Sequence, residues 1–368
     1  MTEPEDHRRA RDRIERAADS ASDVPELFRG VAAAVRSAIP ADGWCGHTLD
    51  PATSMPTGGD AHNGYRPELV QRLLEIEYVD GDVNPFNGLL HREQPARSLH
   101  DATEDAPERS ARYRDVVTPS GFEHELRAVF RHQGRPWGAL VLMRAADQPA
   151  FGSADSSLMS QVSTSLAEAM KRVLLRSQVE TGEIPDGAGL LVLDRAGSIE
   201  TATAEAERWL TDLSDHPAEL PITVLALAAA AAEKGGAAVR SRARGASGAW
   251  VTLTGWSLGD RVAISMESSA PHDLTALALA AYSLSPRERQ VVELVLLGYS
   301  TSQIGQRLHL SPYTVQDHLK VVFDKTGVRS RRELAADLFF NHYLPRIERG
   351  SELTADGWFH DAPLSGRA

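Results

Sequence analysis

The stretch SPYTVQDHLKVVFDKTG, residues 311–327, separates into two faces when it is drawn as a helix. Apolar side chains fall on one face: Val315, Leu319, Val322 and Phe323. Polar side chains fall on the opposite face: Tyr313, Gln316, Asp317, Lys320 and Asp324. Because residues three and four apart share a helix face, the stretch predicts a helix whose apolar face packs inward. Its other face presents hydrogen-bonding groups outward.

The sequence around this stretch predicts three further helices. The segment 285–288, Ser-Pro-Arg-Glu, combines a capping box with proline at the first helical position. Gly298 ends that helix, since glycine readily adopts a positive φ. A second helix is predicted over residues 301–308, and the segment 330–333, Ser-Arg-Arg-Glu, starts the last one. Two short helices, a tight turn and a longer third helix indicate a helix-turn-helix.

This region resembles the LuxR-type four-helix DNA-binding domain, and the spacing of the shared residues holds without a gap. The matching positions are Leu284, Arg287, Glu288, Gly298, Ser300, Ile304, Leu308, Ser311, Thr314, Val315, His318, Lys325, Gly327, Val328, Arg331 and Leu334. The resemblance implies a homodimer whose third helices enter adjacent major grooves of a pseudopalindromic operator in double-stranded DNA. The domain is predicted to span residues 279–344.

The resemblance also implies a role for individual positions of this chain. Base-reading contacts fall on Gln316, Asp317 and Lys320. Contacts with DNA phosphates, or bracing of the helix, fall on a second set: Ser302, Thr314, His318, Lys325 and Arg331. The family often has lysine at position 316 and Asn-Lys-Glu-Ile-Ala at positions 301–305, so the departures here remove positive charge and make affinity for DNA in general modest.

Asp317 is an unusual residue on a face that approaches a polyanion. One hypothesis is that its carboxylate accepts a hydrogen bond from cytosine N4, a contact worth about 1–3 kcal/mol of discrimination. It would then raise specificity while lowering affinity. The other hypothesis is that Asp317 only pairs with Lys320, three residues further along the same helix. The sequence leaves both open.

Charge and composition limit the classes of function. The chain of 368 residues has a formal net charge of −12, which argues against general binding of nucleic acid by the whole molecule. The region from residue 284 to residue 337 has eight basic and six acidic residues, a local net charge of +2. No apolar run reaches the roughly 20 residues of a membrane span, and the charged N-terminus does not read as a secretory signal. With a single cysteine, Cys45, the chain is predicted to be cytoplasmic and without an intrachain disulfide.

The chain before residue 279 predicts two α/β modules. An antiparallel hairpin is predicted within residues 124–144. Two runs rich in strand-forming residues, HELRAVFRH and ALVLMR, flank the turn segment QGRPWG. The spacing of Leu27, Val31, Val35 and Ile39 predicts a first helix, and an amphipathic helix is predicted after Phe151. With these two helices, residues 10–178 resemble a GAF-type sensor domain. Residues 186–268 resemble a PAS-type module through GLLVLDRAGSIETATAEAERWL and GAWVTLTGWSL, while residues 233–248 are predicted as a loop. The predicted fold class is therefore α+β and multidomain, with an all-α C-terminal domain and a tail at 345–368.

The late helix of the first module carries an apolar stripe with a period of 3.5 residues. Its members are Met159, Val162, Leu166, Ala169 and Val173. This period suits pairing with another helix, and packing against the module's own sheet explains it equally well.

Both sensor resemblances imply a cavity that is able to take a small molecule. Aromatic side chains commonly line such cavities, so five residues are candidates for the lining: Trp44, His47, Tyr65, Tyr78 and Trp137. Ordinary core or surface packing explains the same residues. The cofactor stays unknown: sensor domains of this kind can hold a haem or a metal, but the 13 histidines include no H-x-x-x-H pair that would support one.

The sequence has no H-E-x-x-H, C-x-x-C or Walker motif. The chain is therefore predicted not to be an enzyme. The leading hypothesis is a sequence-specific transcription regulator whose sensor domains respond to a signal or a dimer rearrangement. The alternative is a scaffold that recruits a protein partner and binds DNA weakly.

Overall fold

A computed structural model describes residues 5–176, 185, 187–194, 196–214, 220–233, 236–269, 284–296, 298–326 and 328–338. The chain divides into two compact units, Met1–Ser268 and Ser269–Ala368. The first unit contains two antiparallel five-stranded sheets and the second is helical where it is described. The predicted α+β fold class is therefore confirmed. The predicted tail, 345–368, lies outside the described residues.

The first lobe of the first unit comprises residues 5–176 and is built around one sheet. Its helices are α1 (Glu5–Ser20), α2 (Val24–Arg36), α3 (Val70–Glu75), α4 (Phe86–Leu90), α5 (Leu99–Ala102), α6 (Ser153–Gln161) and α7 (Ser163–Arg176). Its strands are β1 (Gly43–Leu49), β2 (Pro56–His62), β3 (Ala96–Ser98), β4 (His124–His132) and β5 (Arg135–Arg144). The sheet order is β2-β1-β5-β4-β3, and every neighbouring pair is antiparallel.

The predicted hairpin is the centre of this sheet. β4 and β5 pair from His124 opposite Arg144 to His132 opposite Arg135. Gln133 and Gly134 join the strands, with φ of 50° and 73°. Two successive residues at positive φ give the turn the twist that tight hairpins favour, so the local sequence accounts for the connection.

Helices α2 and α7 lie close against one face of this sheet. A Cβ atom on Gly46 would lie 2.2 Å from the Phe28 ring of α2, and one on Gly138 would lie 2.1 Å from the Met170 sulfur of α7. Glycine is required at both positions because no other residue leaves room for the helix. The members of the 3.5-residue stripe are 0–2% exposed, so the protein's own packing covers them. The stripe belongs to two helices, because α6 ends at Gln161 and α7 starts at Ser163.

The second lobe of the first unit comprises the described residues from 187 to 268. Its strands are β6 (Gly189–Leu193), β7 (Ile199–Ala202), β8 (Val239–Arg244), β9 (Trp250–Leu258) and β10 (Arg261–Ser268), in the order β7-β6-β10-β9-β8. Its helices are α8 (Ala204–Leu213) and α9 (Ile222–Glu233). β8 corrects the prediction of a loop at 233–248: alternate residues of VRSRAR are buried, and the three arginines hid this pattern in the sequence.

The two lobes share part of a core. Met55, in the turn between β1 and β2, is 7% exposed and belongs to the apolar cluster of the second lobe. Asp50 in the same turn accepts hydrogen bonds from Arg242 of β8, at 2.8 Å from Nε and 2.9 Å from Nη2. The turn therefore joins the lobes by both apolar and charged contacts.

The described part of the second unit contains four helices: α10 (Pro286–Leu296), α11 (Thr301–Leu308), α12 (Pro312–Thr326) and α13 (Arg331–Leu338). They surround an apolar cluster that includes Val291, Ile304, Val315, Val322 and Leu334, each at most 1% exposed. All four predicted helices are confirmed. Their starts follow the predicted caps, since Ser285 and Ser330 accept hydrogen bonds from the backbone N–H groups of Glu288 and Glu333.

Candidate nucleic-acid interface

A tight turn joins α11 to α12. α11 begins with a capping box between Ser300 and Gln303, and it ends at His309, which has a left-handed φ of 53°. The N–H of Leu310 donates to Gly305 O at 2.8 Å. The hydroxyl of Ser311 then accepts from Thr314 N–H at 3.0 Å and starts α12.

The predicted faces of α12 are present in the structure. Val315, Leu319 and Val322 are at most 4% exposed and face the core of the unit. Gln316, Asp317 and Lys320 are all exposed, as the sequence predicted. Tyr313 lies at the start of the same helix and is 78% exposed. Their exposure leaves amide, carboxylate and ammonium groups free to approach the edges of bases.

The second set of predicted residues divides into two groups. Ser302 is exposed on α11, and His318 is half-buried on α12. The other three hold contacts inside the unit. Thr314 Oγ1 lies 2.8 Å from Ser311 Oγ, Lys325 Nζ lies 2.6 Å from Glu288 Oε2, and Arg331 donates to Tyr299 O. These contacts favour helix bracing for Thr314, Lys325 and Arg331.

Glu288 is a bracing residue that sequence analysis identified only as a cap. Its carboxylate accepts hydrogen bonds from Ser285 N–H and from the Lys325 ammonium. Burial would raise the pKa of Glu288, but these hydrogen bonds outweigh burial and hold the pKa below its ordinary value. The capping-box spacing was the available signal, and it could not reveal the bond to Lys325 because that residue is 37 positions away.

Two arginines also fix the arrangement of the helices. Arg287 donates to Leu308 O, which holds α10 to the end of α11. The Arg307 guanidinium lies 4.2 Å from the centre of the Tyr299 ring, within the range of a cation–π contact. Neither contact follows from helical spacing, because each joins residues from different segments.

The five candidate pocket residues do not lie in one place. Side chains alternate along β1, so Trp44 lies on the same face of the sheet as Gly46, the face that packs against α2. The Trp44 side chain is 4% exposed. His47 lies on the opposite face, and Trp137 shares that face by alternation along β5. Tyr65 packs on an apolar cluster that includes Cys45 and Ala139, while Tyr78 packs on the apolar cluster of the second lobe.

Buried charges line the sheet face that carries His47. Arg112 Nε lies 3.0 and 3.2 Å from the two carboxylate oxygens of Glu125, and both side chains are 1% exposed. Tyr65 donates its hydroxyl to the same carboxylate. Arg127 Nη1 lies 2.8 Å from Glu77 Oε2. The protein therefore places charged and hydrogen-bonded side chains of its own beside the predicted pocket.

Three nitrogen atoms in this region are buried without a hydrogen-bond acceptor: His47 Nδ1, Arg112 Nη1 and Arg127 Nε. Burial, and then the nearby Arg127 charge, lower the pKa of His47 to about 4. The imidazole is therefore neutral at pH 7. Arg112 Nη1 lies 3.6 Å from Asp82 Oδ2, so an ion pair with that carboxylate offsets part of its burial.

The described part of the chain contains neither a metal-ligand cluster nor a membrane-spanning helix. No group of three or more His, Cys, Asp or Glu residues there is arranged to hold a metal ion. No helix within the same residues has the length and apolar character needed to cross a bilayer.

Two helices joined by a tight turn, the second with an exposed polar face, define a helix-turn-helix unit. Residues 282–337 match the family described as bacterial regulatory proteins, luxR family. The chain is 34% identical over 55 residues to the spore germination protein GerE of Bacillus subtilis, covering 74% of that protein and 15% of this chain. The chain belongs to the LuxR family of bacterial regulatory proteins.

Other similarities cover different shares of the chain. A putative helix-turn-helix-type transcriptional regulator of Mycobacterium bovis is 52% identical over 52 residues, which is 14% of this chain and 6% of that protein. The chain thus spans only a small fraction of the length of this relative. The GAF domain of an Acinetobacter phosphoenolpyruvate-protein phosphotransferase is 14% identical in sequence with a TM-score of 0.32, covering 49% of this chain and all of that domain.

Proposed function

We propose that the chain is a transcription regulator that binds double-stranded DNA in a sequence-specific manner through the exposed face of α12. One observation carries this proposal: Gln316, Asp317 and Lys320 are exposed together on a helix whose opposite face is buried in its own unit. An exposed polar helix after a tight turn has the size and chemistry to enter a major groove. Membership of the LuxR family supports the same role.

The three side chains have different tasks in this proposal. The Gln316 amide hydrogen-bonds an adenine, and the Asp317 carboxylate accepts a hydrogen bond from cytosine N4. The Lys320 ammonium donates a hydrogen bond to guanine or to a phosphate. Ser302 of α11 and His318 of α12 would contact DNA phosphates and so position the helix. Lys325, Thr314 and Arg331 hold the helix in place through their internal contacts.

The domains 10–178 and 186–268 are proposed as the sensor part and the domain 279–344 as the DNA-binding part. The regulator acts as a homodimer in the cytoplasm, without catalytic activity, on a pseudopalindromic operator. A signal in the sensor part, such as a small molecule bound near His47, changes the spacing of the two α12 helices. Two recognition helices must stand about 34 Å apart to bind adjacent major grooves, so a change in spacing controls binding.

Operator selection followed by footprinting tests the proposal. The purified chain should select a short duplex with two related half-sites, and the affinity should fall steeply with salt. Gln316→Ala and Asp317→Ala should each change base preference at one position by about 1–3 kcal/mol. Gln290→Ala, on the exposed surface of α10, is the control and should leave the preference unchanged.

Binding that ignores sequence in both the parent chain and the variants would contradict the proposal. It would favour the alternative, a scaffold whose helical unit contacts a protein partner. If Asp317→Ala alone leaves the preference unchanged, pairing with Lys320 is the better account of that residue.

A further inference from the structure

A cleft of about 590 Å³ lies between the two lobes of the first unit, and we call it the interlobe cleft. Gln71, Glu75, Val79 and Asp80 of the first lobe form one wall. The second lobe forms the other wall with α9, the turn after β6 and the turn between β9 and β10. Small-molecule sites commonly measure about 300–1,000 Å³ and occur between domains, so the interlobe cleft has a suitable size and position.

The walls of the interlobe cleft have an apolar stripe. Leu225, Ala228 and Ala229 line it along α9, and Val262 lines it from β10. On the facing wall, Val79 is 36% exposed, a large value for a valine. Small alanine side chains leave space, and the exposed apolar surface would gain free energy by contact with an aliphatic group.

The charged residues that line the interlobe cleft are mostly acidic. Those among the described residues are five carboxylates and one arginine: Glu75, Asp80, Asp194, Glu233, Asp260 and Arg261. Arg261 is bound by Glu200 through two hydrogen bonds. Its charge is therefore largely compensated outside the cleft.

Three of the carboxylates already have partners. Arg72 Nη1 lies 3.3 Å from Glu75 Oε2 and 2.7 Å from Asp80 Oδ2. Asp194 Oδ1 accepts from the N–H groups of Ala196 and Ser198, at 2.8 and 2.9 Å. These three groups are therefore used by the fold.

Glu233 and Asp260 differ from the other carboxylates of the interlobe cleft. Neither has a hydrogen bond or an ion pair in the described part of the chain, and both are exposed. The Asp260 charge acts on the neighbouring Arg261, whereas Glu233 has no such contact with a described cation. Glu233 is the last residue of α9, a helix of 12 residues with no basic residue in its final turn. The C-terminal end of a helix carries partial negative charge, so the Glu233 carboxylate stands where a cation, not an anion, is favoured.

We propose that the interlobe cleft binds an organic cation with a short aliphatic chain. The ammonium group lies at the rim with Glu233 and Asp260, and the chain lies along Ala228 and Ala229 toward Val79. A ligand in this position contacts both lobes at once. The proposal concerns binding alone and does not depend on DNA recognition by the other unit.

Calorimetric titration of the full chain with three probes of equal length tests the proposal. Octylammonium should bind with a single saturable site, octanol should bind about tenfold more weakly, and octanoate should not bind. Equal binding of the three probes would overturn the proposal, because it would show a purely apolar interaction. Absence of saturable octylammonium binding would overturn it as well.

Removal of the two rim charges tests the predicted location. Glu233→Gln with Asp260→Asn should weaken octylammonium binding about five- to tenfold. The matched control is Glu207→Gln with Glu267→Gln, which removes two exposed carboxylates of the same lobe outside the cleft. Equal weakening in the control would show an effect of net charge and would overturn the assignment to the interlobe cleft.

A second pair of variants tests the opposite wall. Val79→Lys places a cation in the cleft at an exposed position, and it should abolish octylammonium binding. The methionine of Val79→Met has a side chain of similar length without the charge, so the affinity for octylammonium should stay within about twofold of that of the parent chain. If Val79→Lys keeps full binding while circular dichroism shows a folded chain, the ligand lies elsewhere and the proposal fails.

Discussion

The Nζ atom of Lys325 lies 2.6 Å from Oε2 of Glu288, and this contact ties the end of α12 to the start of α10. The Lys325 side chain is 30% exposed and that of Glu288 is 10% exposed. The same carboxylate also accepts from Ser285 N–H. One buried carboxylate thus fixes both the cap of α10 and the position of the proposed recognition helix.

Replacement of Lys325 should affect stability more than it affects contact with phosphates. Lys325→Met should lower the free energy of unfolding by about 1–2 kcal/mol, because it leaves a largely buried carboxylate with fewer donors. The salt dependence of binding to a nonspecific duplex should stay the same. Denaturant unfolding and salt titration measure the two quantities.

Lys320→Met is the matched control for this variant, since Lys320 is exposed on the outer face of α12. It should change stability by less than about 0.5 kcal/mol and should flatten the salt slope by about one unit if the ammonium contacts a phosphate. The reverse pattern, with a flatter slope only in Lys325→Met, would assign the phosphate contact to Lys325.

Gly298 should resist substitution by alanine. Its φ is +79°, and it follows α10, where its N–H donates to Val295 O at 3.0 Å. An alanine in this left-handed conformation costs about 1–2 kcal/mol, so Gly298→Ala should lower the stability of the helical unit by that amount. Gly298→Asn should cost less, because asparagine tolerates this conformation better. A Cβ atom at this position would meet no atom within 4 Å, so space does not decide the residue. Thermal unfolding of both variants checks the order, and equal losses would contradict the role of the left-handed conformation.

The ion pair of Asp50 and Arg242 should couple the two lobes of the first unit. Asp50 is 1% exposed, so Asp50→Asn leaves the Arg242 guanidinium without its buried partner and should cost about 3 kcal/mol. The double variant with Arg242→Met should show a coupling energy above about 1 kcal/mol. Denaturant unfolding measures each corner of the cycle. Arg240→Met, on the same strand and exposed, is the control and should have little effect.

His47 should make the first unit less stable in mild acid. Its pKa is about 4 in the folded protein, from an ordinary value of 6.5. The unfolded chain therefore binds more protons between these pH values, and stability that is full above pH 6.5 falls as the pH approaches 4. The loss should be about 2–3 kcal/mol for this group.

The variant His47→Gln should have a flatter profile of unfolding free energy against pH over this range. Thr48→Val is a control on the same strand that should lower stability, through its lost bond to Thr57, without changing the slope. An unchanged slope in His47→Gln would show that the imidazole does not remain neutral in the folded state.

Local patterns predicted much of the fold. The spacing of apolar residues predicted α12 and its two faces. The capping boxes predicted where α10 and α13 begin. The Gln133-Gly134 turn gave the central hairpin. β8 was missed because three arginines occupy its alternate positions, and the half-buried Arg242 pairs with the distant Asp50.

The sequence by itself determined the helix-turn-helix unit and the exposed residues of its third helix, because helical period and capping depend on residues at most four positions apart. Only the tertiary structure decided which polar side chains are free. The bond from Lys325 to Glu288 spans 37 positions, and the bond from Arg242 to Asp50 spans 192. Such partners are chosen by packing of distant segments, where burial makes an unpaired charge costly. Periodicity carries no information about that choice.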